Sequence, residues 1–511
     1  MQIMKKSTFL LACCLVAAAC TDETPAEQPA GPCDKPEYSY SAVEYRKWQS
    51  SGFKPWTTAD AAETRTVAGM NWFSPVDFHV ETPWGGRLDY GAPEAVRGSE
   101  GFFRVARADG RWYFLDPDGG AVILRGTQHV TPGESDEHKA AFNSRFGSLE
   151  KWSAETGALL AAEGINYISW GAKRIEPFPA EVRENLLSPG GRKIAYGENL
   201  YLLRTFMWDM RQNLGYAFED GTYNRLVLVF EPTFEQYVTD LAREKCALFA
   251  GDRHFVGYYL DNELPFVAYE NNDPVRGVEL AHFLALPDRY RGAREFAGAF
   301  LRERGIASAE AITAADRTAF RTAVAERYYE VTTRAVRKAD PEHLILGSRL
   351  HDWSKYTQGV VEASARYCDA VSVNYYARWQ PEPDYMANLA AWCGERPFIV
   401  SEFYVKGDDA AYRGKPYANL DGGGWLVRTQ RDRGAFYENF CLRLLETRCC
   451  AGWMHFEYCD SYGGQTASNK GLVSVEYAPY TEFLGSLRLL HANLYALAGY
   501  YDSKVKGELC E

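Results

Sequence analysis

Eight short apolar runs recur along the chain, set off by polar or glycine-rich residues and separated by longer amphipathic stretches. They are Ala121–Gln128, Ile165–Trp170, Leu200–Trp208, Phe255–Leu260, Leu344–Ser348, Ala370–Tyr376, Pro397–Phe403 and Ala451–Phe456. Near-continuous apolar character is expected of strands buried on both faces. Between them, residues 149–163, 233–249, 317–338, 355–366, 383–393 and 425–447 carry apolar residues at helical spacing, with a last stretch at 479–497. The interval 173–199 is broken by Pro and Gly and gives the least definite helix. Strand and helix in alternation predict a parallel α/β fold. Eight repeats favour a (β/α)8 TIM barrel over an open doubly wound sheet. No Gly-x-Gly-x-x-Gly follows a strand, so a dinucleotide site lacks its main support.

The barrel is expected over 120–500, with residues 264–312 inserted after the fourth strand and a C-terminal tail at 501–511. Residues 36–119 read as an N-terminal extension that ends in a β-meander. Its turns are Asp109-Gly110 and Asp116-Pro117-Asp118-Gly119-Gly120. Asp116 and Asp118 could suggest a calcium loop, but the later ligands of such a loop are missing. At the start, Lys5 and Lys6 precede an apolar run that ends Ala17-Ala18-Ala19-Cys20. This reads as a lipoprotein signal over 1–20 with Cys20 as the lipid acceptor. Residues 21–35, rich in Pro, Ala and Glu, read as a flexible tether. The expected location is therefore an exported protein, lipid-anchored at the bacterial outer membrane.

Composition removes several classes. A net charge of −12 lacks the basic footprint of general nucleic-acid binders. One long apolar run cannot build a multi-span membrane protein. Setting aside Cys13, Cys14 and Cys20 leaves 9 of the 12 cysteines, none in Cys-x-x-Cys spacing. A zinc site is not indicated; buried thiols and disulfides both remain open. The 13 Trp and 33 Tyr exceed what a core needs. Trp170, Trp208, Trp379, Trp425, Trp453 and Tyr458 fall near strand ends, where as a set they suit a carbohydrate cleft.

Catalytic groups of such barrels lie at the C-terminal strand ends. The fourth run closes on Asp261-Asn262-Glu263, and the seventh on Ser401-Glu402-Phe403. Strands four and seven stand across the ring from each other. Glycosidic cleavage needs two carboxyl groups flanking the bond, and a spacing of about 5–5.5 Å implies double displacement. Alternation turns Asp261 the same way as Glu263, which makes it a structural carboxylate beside the pair. His129 after strand one, Asn374 and Tyr376 after strand six, and Glu457 after strand eight are further candidates for contact with sugar. A metal-dependent hydrolase using His254, Asp261 and Glu263 is a distant alternative. No metal or organic cofactor is called for; the expected partner is a carbohydrate substrate.

Asn262-Glu263 with Glu402 resembles clan A of the retaining glycoside hydrolases, and within it the agarase-type enzymes near family fifty and the family forty-two β-galactosidases. The resemblance covers about 100–500. It includes Asp109–Gly119, Gly257–Glu263, Ala339–Gly347, Val371–Tyr376 and Gly452–Asp460. It implies Glu263 as acid/base, Glu402 as nucleophile, Asn262 on the hydroxyl beside the anomeric carbon, and a β-linked galactan as substrate. Relatives often read Gly-Trp-His-Trp-Phe-Gln-Tyr-Gln-Asp in strand eight, where this chain has Met454, His455, Glu457 and Cys459 at four positions. Two other readings stand beside this one: an exo-acting β-galactosidase on another glycan, and a surface lipoprotein that binds glycan without cutting it.

Overall fold

The computed structural model describes residues 35–49, 52–76, 82–169, 178–214, 224–267, 277–463 and 467–508. The segment with Cys20 and the tether to residue 34 lie outside these, as does Trp170. At the centre is a parallel sheet. Its strands are one (Leu124–Thr127), two (Tyr167–Ser169), three (Ala195–Asn199), four (Phe255–Tyr259), five (Leu344–Ile345), six (Val371–Asn374), seven (Phe398–Phe403) and eight (Cys450–His455). Their spatial order is five-four-three-two-one-eight-seven-six, with every pairing parallel. Just past strand five, Leu350 bridges in parallel to Val373 of strand six, so the two ends of the curled sheet meet. The arrangement fits a TIM-like core.

Seven of the apolar runs coincide with a core strand to within a few residues, and the third does not. Leu202–Leu214 is a helix, and strand three lies earlier, at Ala195–Asn199. Leu202, Leu203, Phe206 and Met210 are spaced to bury one helical face, and all four are buried. Asp261 accepts hydrogen bonds from the backbone N–H of Leu203 (2.9 Å) and Arg204 (3.1 Å) and so holds the start of that helix. Strand three is instead polar and small. A Cβ on Gly197 would sit 2.0 Å from the Tyr167 hydroxyl, so the strand gives up bulk to its neighbour's ring. The last expected helix is two, Thr481–Ala492 and Leu494–Lys506.

Strand alternation divides the core. Leu124, Tyr167, Ala195, Val256, Leu344, Ile399 and Met454 point inward and form one cluster. Ile123, Ile168, Tyr196, Phe255, Ile345, Val400 and Trp453 point outward into the larger core under the helices. The inner cluster also takes Phe103, Val105, Trp112, Phe114 and Val122 from an antiparallel meander of Glu94–Arg97, Arg104–Ala108, Arg111–Leu115 and Ala121–Val122. These residues meet the N-terminal ends of the strands and close that end of the ring. The hairpin turn Asp109-Gly110 has φ of 52° and 77°, a geometry that Asp-Gly tolerates. Asp116 accepts from the N–H of Asp118 and Gly120, both at 2.9 Å, and so serves its own turn.

Candidate active site

Going up the inside of the ring, apolar residues give way to polar ones. Gln128 donates to the Ser401 carbonyl (2.9 Å), accepts from Arg349 (3.4 Å), and contacts Ser169. Above this floor lies a cavity of about 870 Å³, lined from the C-terminal strand ends and the loops that follow them. His129, Tyr201, Glu263, Arg349, Asp352 and Ala377 line it, and all have φ between 44° and 58°. Left-handed backbone at non-glycine residues is costly and gathers where a site demands it.

Both expected carboxylates are in this cavity. Glu263 Oε1 accepts from Asn374 Nδ2 at 2.8 Å. Asn374 is fully buried and accepts from Ser401 Oγ at 2.6 Å, which fixes the orientation of its amide. Glu402 contacts the Tyr376 hydroxyl with Oε2 and the Arg349 guanidinium with Oε1. The two acids differ in exposure: the Glu402 side chain is 8% exposed and that of Glu263 31%. Burial foremost, then the carboxylates of Glu263 and Glu457, push the Glu402 carboxyl well above the usual range, with Lys470 acting against them. Direct contact with Arg349 and Tyr376 opposes that push and favours the anion.

The remaining expected residues divide. Asn262 lines the cavity, and its buried Oδ1 has no hydrogen-bond partner among the described residues. His129 lines it too, with Nδ1 2.9 Å from Glu457 Oε2. Glu457 stands behind His129 and also accepts from Ser461 Oγ at 2.7 Å. Burial would raise the Glu457 carboxyl, but the bond and charge of His129, with Lys470 and Ser461, hold it below its usual value. It therefore braces His129 as an anion.

Trp453 and Tyr458 do not line the cavity, and neither do Asn374 and Glu457, which stand one layer behind it. Alternation turns Trp453 outward, where Nε1 donates to the Tyr437 hydroxyl at 2.9 Å. The Tyr458 hydroxyl lies 2.9 Å from Thr156 Oγ1 in the outer core. Phe456 lines the cavity in their place. Trp379 and Trp425 are buried and stack on Tyr45, and Trp208 rides on the helix that displaced strand three.

Asp261 does not share the direction of Glu263. The strand ends at Tyr259, and Asp261 accepts from the Tyr328 hydroxyl (2.8 Å) on the outer side. His254 precedes strand four and its Nδ1 bonds the Ile194 carbonyl at 3.0 Å, so His254, Asp261 and Glu263 do not converge.

Glu198, Asn199 and Tyr201 also line the cavity, at the end of a strand whose polar, small residues give no apolar run to mark it. Arg349 follows Leu344–Ser348 directly, so it too stands at the end of an apolar run. Lys470 lies in a loop far from any strand signal. The seven described cysteines outside the N-terminal segment carry free thiols. Among the described residues no helix is long and apolar enough to cross a membrane.

A curled parallel sheet that brings two carboxylates from the ends of strands four and seven into one cavity resembles a definite class, the agarase-type glycoside hydrolases. In particular, the chain is similar to the solved structure of BpGH50, at 26% identity and a TM-score of 0.76, over 91% of this chain and 96% of that one. It shares its fold with the agarase AgWH50C, at 20% identity and a TM-score of 0.64, over 83% of this chain and 67% of that one. Among curated proteins it is 25% identical to beta-agarase B of Vibrio sp. (strain JT0107) over 177 residues, 34% of this chain. Beta-agarase A of the same strain is 27% identical over 181 residues, 33% of this chain. Each match spans 17% of the curated relative's length. No family model matches.

Proposed function

We propose that the chain is a retaining glycoside hydrolase, built on a closed (β/α)8 barrel, that cleaves a β-linked galactose-containing glycan. The observation that carries this reading is the pair Glu263 and Glu402, set in one cavity with different supports and different exposure. Glu402, held as an anion by Arg349 and Tyr376, attacks the anomeric carbon. Glu263, the more open acid, passes its proton to the leaving oxygen as the glycosidic bond breaks. Water then enters, Glu263 takes one of its protons, and the oxygen displaces Glu402 from the sugar, restoring both carboxyl groups. Asn374 keeps Glu263 in place, and Asn262 offers its unpartnered Oδ1 to a sugar hydroxyl. Similarity to BpGH50 over nearly the whole chain, and to the two beta-agarases over a third of it, supports the galactan as substrate class.

The test is a screen of red-algal and plant β-galactans, with anomeric configuration of the first product followed by NMR. Retention is expected. Glu263→Ala should cut turnover by roughly 10²–10⁴-fold, the usual worth of a general acid. Glu402→Ala should abolish it, and parent-level cleavage by that variant would sink the assignment. Product size separates this reading from an exo-acting β-galactosidase, and binding without turnover would identify a glycan-binding surface protein. We also propose that Cys20 carries a lipid that holds the enzyme at the outer membrane; Cys20→Ala should release it to the soluble fraction.

A further inference from the structure

Among the described residues, four basic side chains line the cavity: Arg349, Lys355, Arg378 and Lys470. Three are matched by carboxylates. Arg349 meets Glu402, Arg378 meets Glu382 at 3.0 Å, and Lys470 meets Asp421. Lys355 makes no ion pair among the described residues. Its ammonium has three N–H groups to place. One goes to the Asp352 carbonyl at 3.3 Å, and the Tyr356 and Tyr375 rings lie 4.5 and 5.7 Å away. The side chain is 4% exposed, so water does little to solvate it. A buried charge without a counter-charge is costly unless something completes it.

The acids that face Lys355 are engaged elsewhere. Glu382 Oε2 accepts from the Tyr356 and Tyr375 hydroxyls, each at 3.0 Å, while Oε1 holds Arg378. Asp352 lies 3.2 Å from His351 Nε2, and Glu263 is held by Asn374. Lys355 sits on the 3-10 turn Asp352–Tyr356, whose backbone is fixed by the Tyr385 hydroxyl donating to the Lys355 carbonyl at 3.0 Å. The same turn presents Trp353 to the cavity, 46% exposed. Just before the turn, His351 Nδ1 is 3.9 Å from Glu263 Oε1, which puts this loop beside the acid/base.

We propose that Trp353 and Lys355 form a subsite for a sugar that carries a negative substituent, a sulfate ester or a carboxylate, beside the bond to be cut. The indole gives a platform for the apolar face of the ring, and the ammonium takes the anion at its edge. The inference rests on the hydrolase reading and narrows its substrate to charged glycans. Burial foremost lowers Lys355, to about 8, against Asp352; a bound anion would hold it charged.

The test uses matched β-galactan oligosaccharides that differ only in a sulfate ester, or only in a uronate carboxylate, each against its neutral partner. The full-length parent should favour a charged member by about ten-fold or more in kcat/KM, a single charge-assisted contact's worth. The two arms tell sulfate from carboxylate. Lys355→Gln should bring the ratio close to one, and Lys355→Arg should restore most of it. A parent without charge preference overturns the inference, and this measurement needs no variant to fold. A preference that survives Lys355→Gln overturns it too. Binding of the same pairs to Glu402→Gln separates the two readings. Charge-selective binding without any cleavage by the parent would sink the hydrolase and keep the subsite. Cleavage of neutral galactans without charge preference would do the reverse. Neither binding nor cleavage would end both.

Discussion

At the scale of single residues, the site gives its two carboxyl groups unlike companions. Glu263 has an amide, Asn374, which is itself held by Ser401; Glu402 has a phenol and a guanidinium. Tyr376 donates to Glu402 and so favours its anion. Tyr376→Phe removes that donor, and the Glu402 carboxyl should move further up. The acid limb of the kcat/KM profile then moves to higher pH. A hydrogen bond to a charged group is worth roughly 1.5–3 kcal/mol, so kcat should fall by about 10–100-fold. Steady-state kinetics across pH would check both, and an unmoved acid limb would dismiss the role. Glu263 and Glu402 were legible in the sequence because an acid that ends an apolar strand is conspicuous. Arg349, Lys355 and Lys470 were not. A cation in a polar loop looks the same whether it faces solvent or a cavity, and only the way the curled sheet gathers its loops decides which.

At the scale of elements, the core strands could be read where both faces are buried, since such strands are apolar throughout. Strand three could not, because Tyr167 fills the interior beside Gly197 and leaves Ala195–Asn199 little apolar content. The apolar signal next along the chain belonged to a helix. Outward and inward positions on strand eight were likewise hidden until its register was known, which is why Trp453 was misplaced. The helix Leu202–Leu214 depends on a residue of another element: Asp261 accepts from Leu203, Arg204 and Tyr328. Asp261→Ala leaves those buried donors unmet and should destabilise the fold by about 2–4 kcal/mol. Denaturant melts would measure it, and a loss under about 0.5 kcal/mol, the range of neutral surface changes, would show the cap to be incidental.

At the scale of the whole molecule, burial sets several groups against each other in acid. His455 and His491 are lowered to about 3, burial first and then nearby arginines. Their contribution is complete above an unfolded value of about 6.5 and is lost as pH falls toward 3. Glu438 goes the other way: burial raises it to about 7, against the Val67 N–H that it accepts. Its contribution is complete below about 4.3 and is lost as pH rises through 7. Glu438→Gln keeps an oxygen for Val67 and removes the titration. Relative to that variant, the parent should lose about 3 kcal/mol between pH 4 and pH 8. Calorimetric melts at several pH values would show the gap, and parallel curves would refute it.

The meander that closes the ring has a further consequence, for the nascent chain. Residues 94–122 leave the ribosome ahead of every core strand, yet Phe103, Val105, Trp112 and Phe114 share one cluster with Met454 of strand eight. Trp112 N–H even donates to the Arg448 carbonyl, at 2.8 Å. The stopper is made first, and its seat is finished more than three hundred residues later. Until then its apolar face has no native partner, and such uncovered surface is where a growing polypeptide is most prone to aggregate.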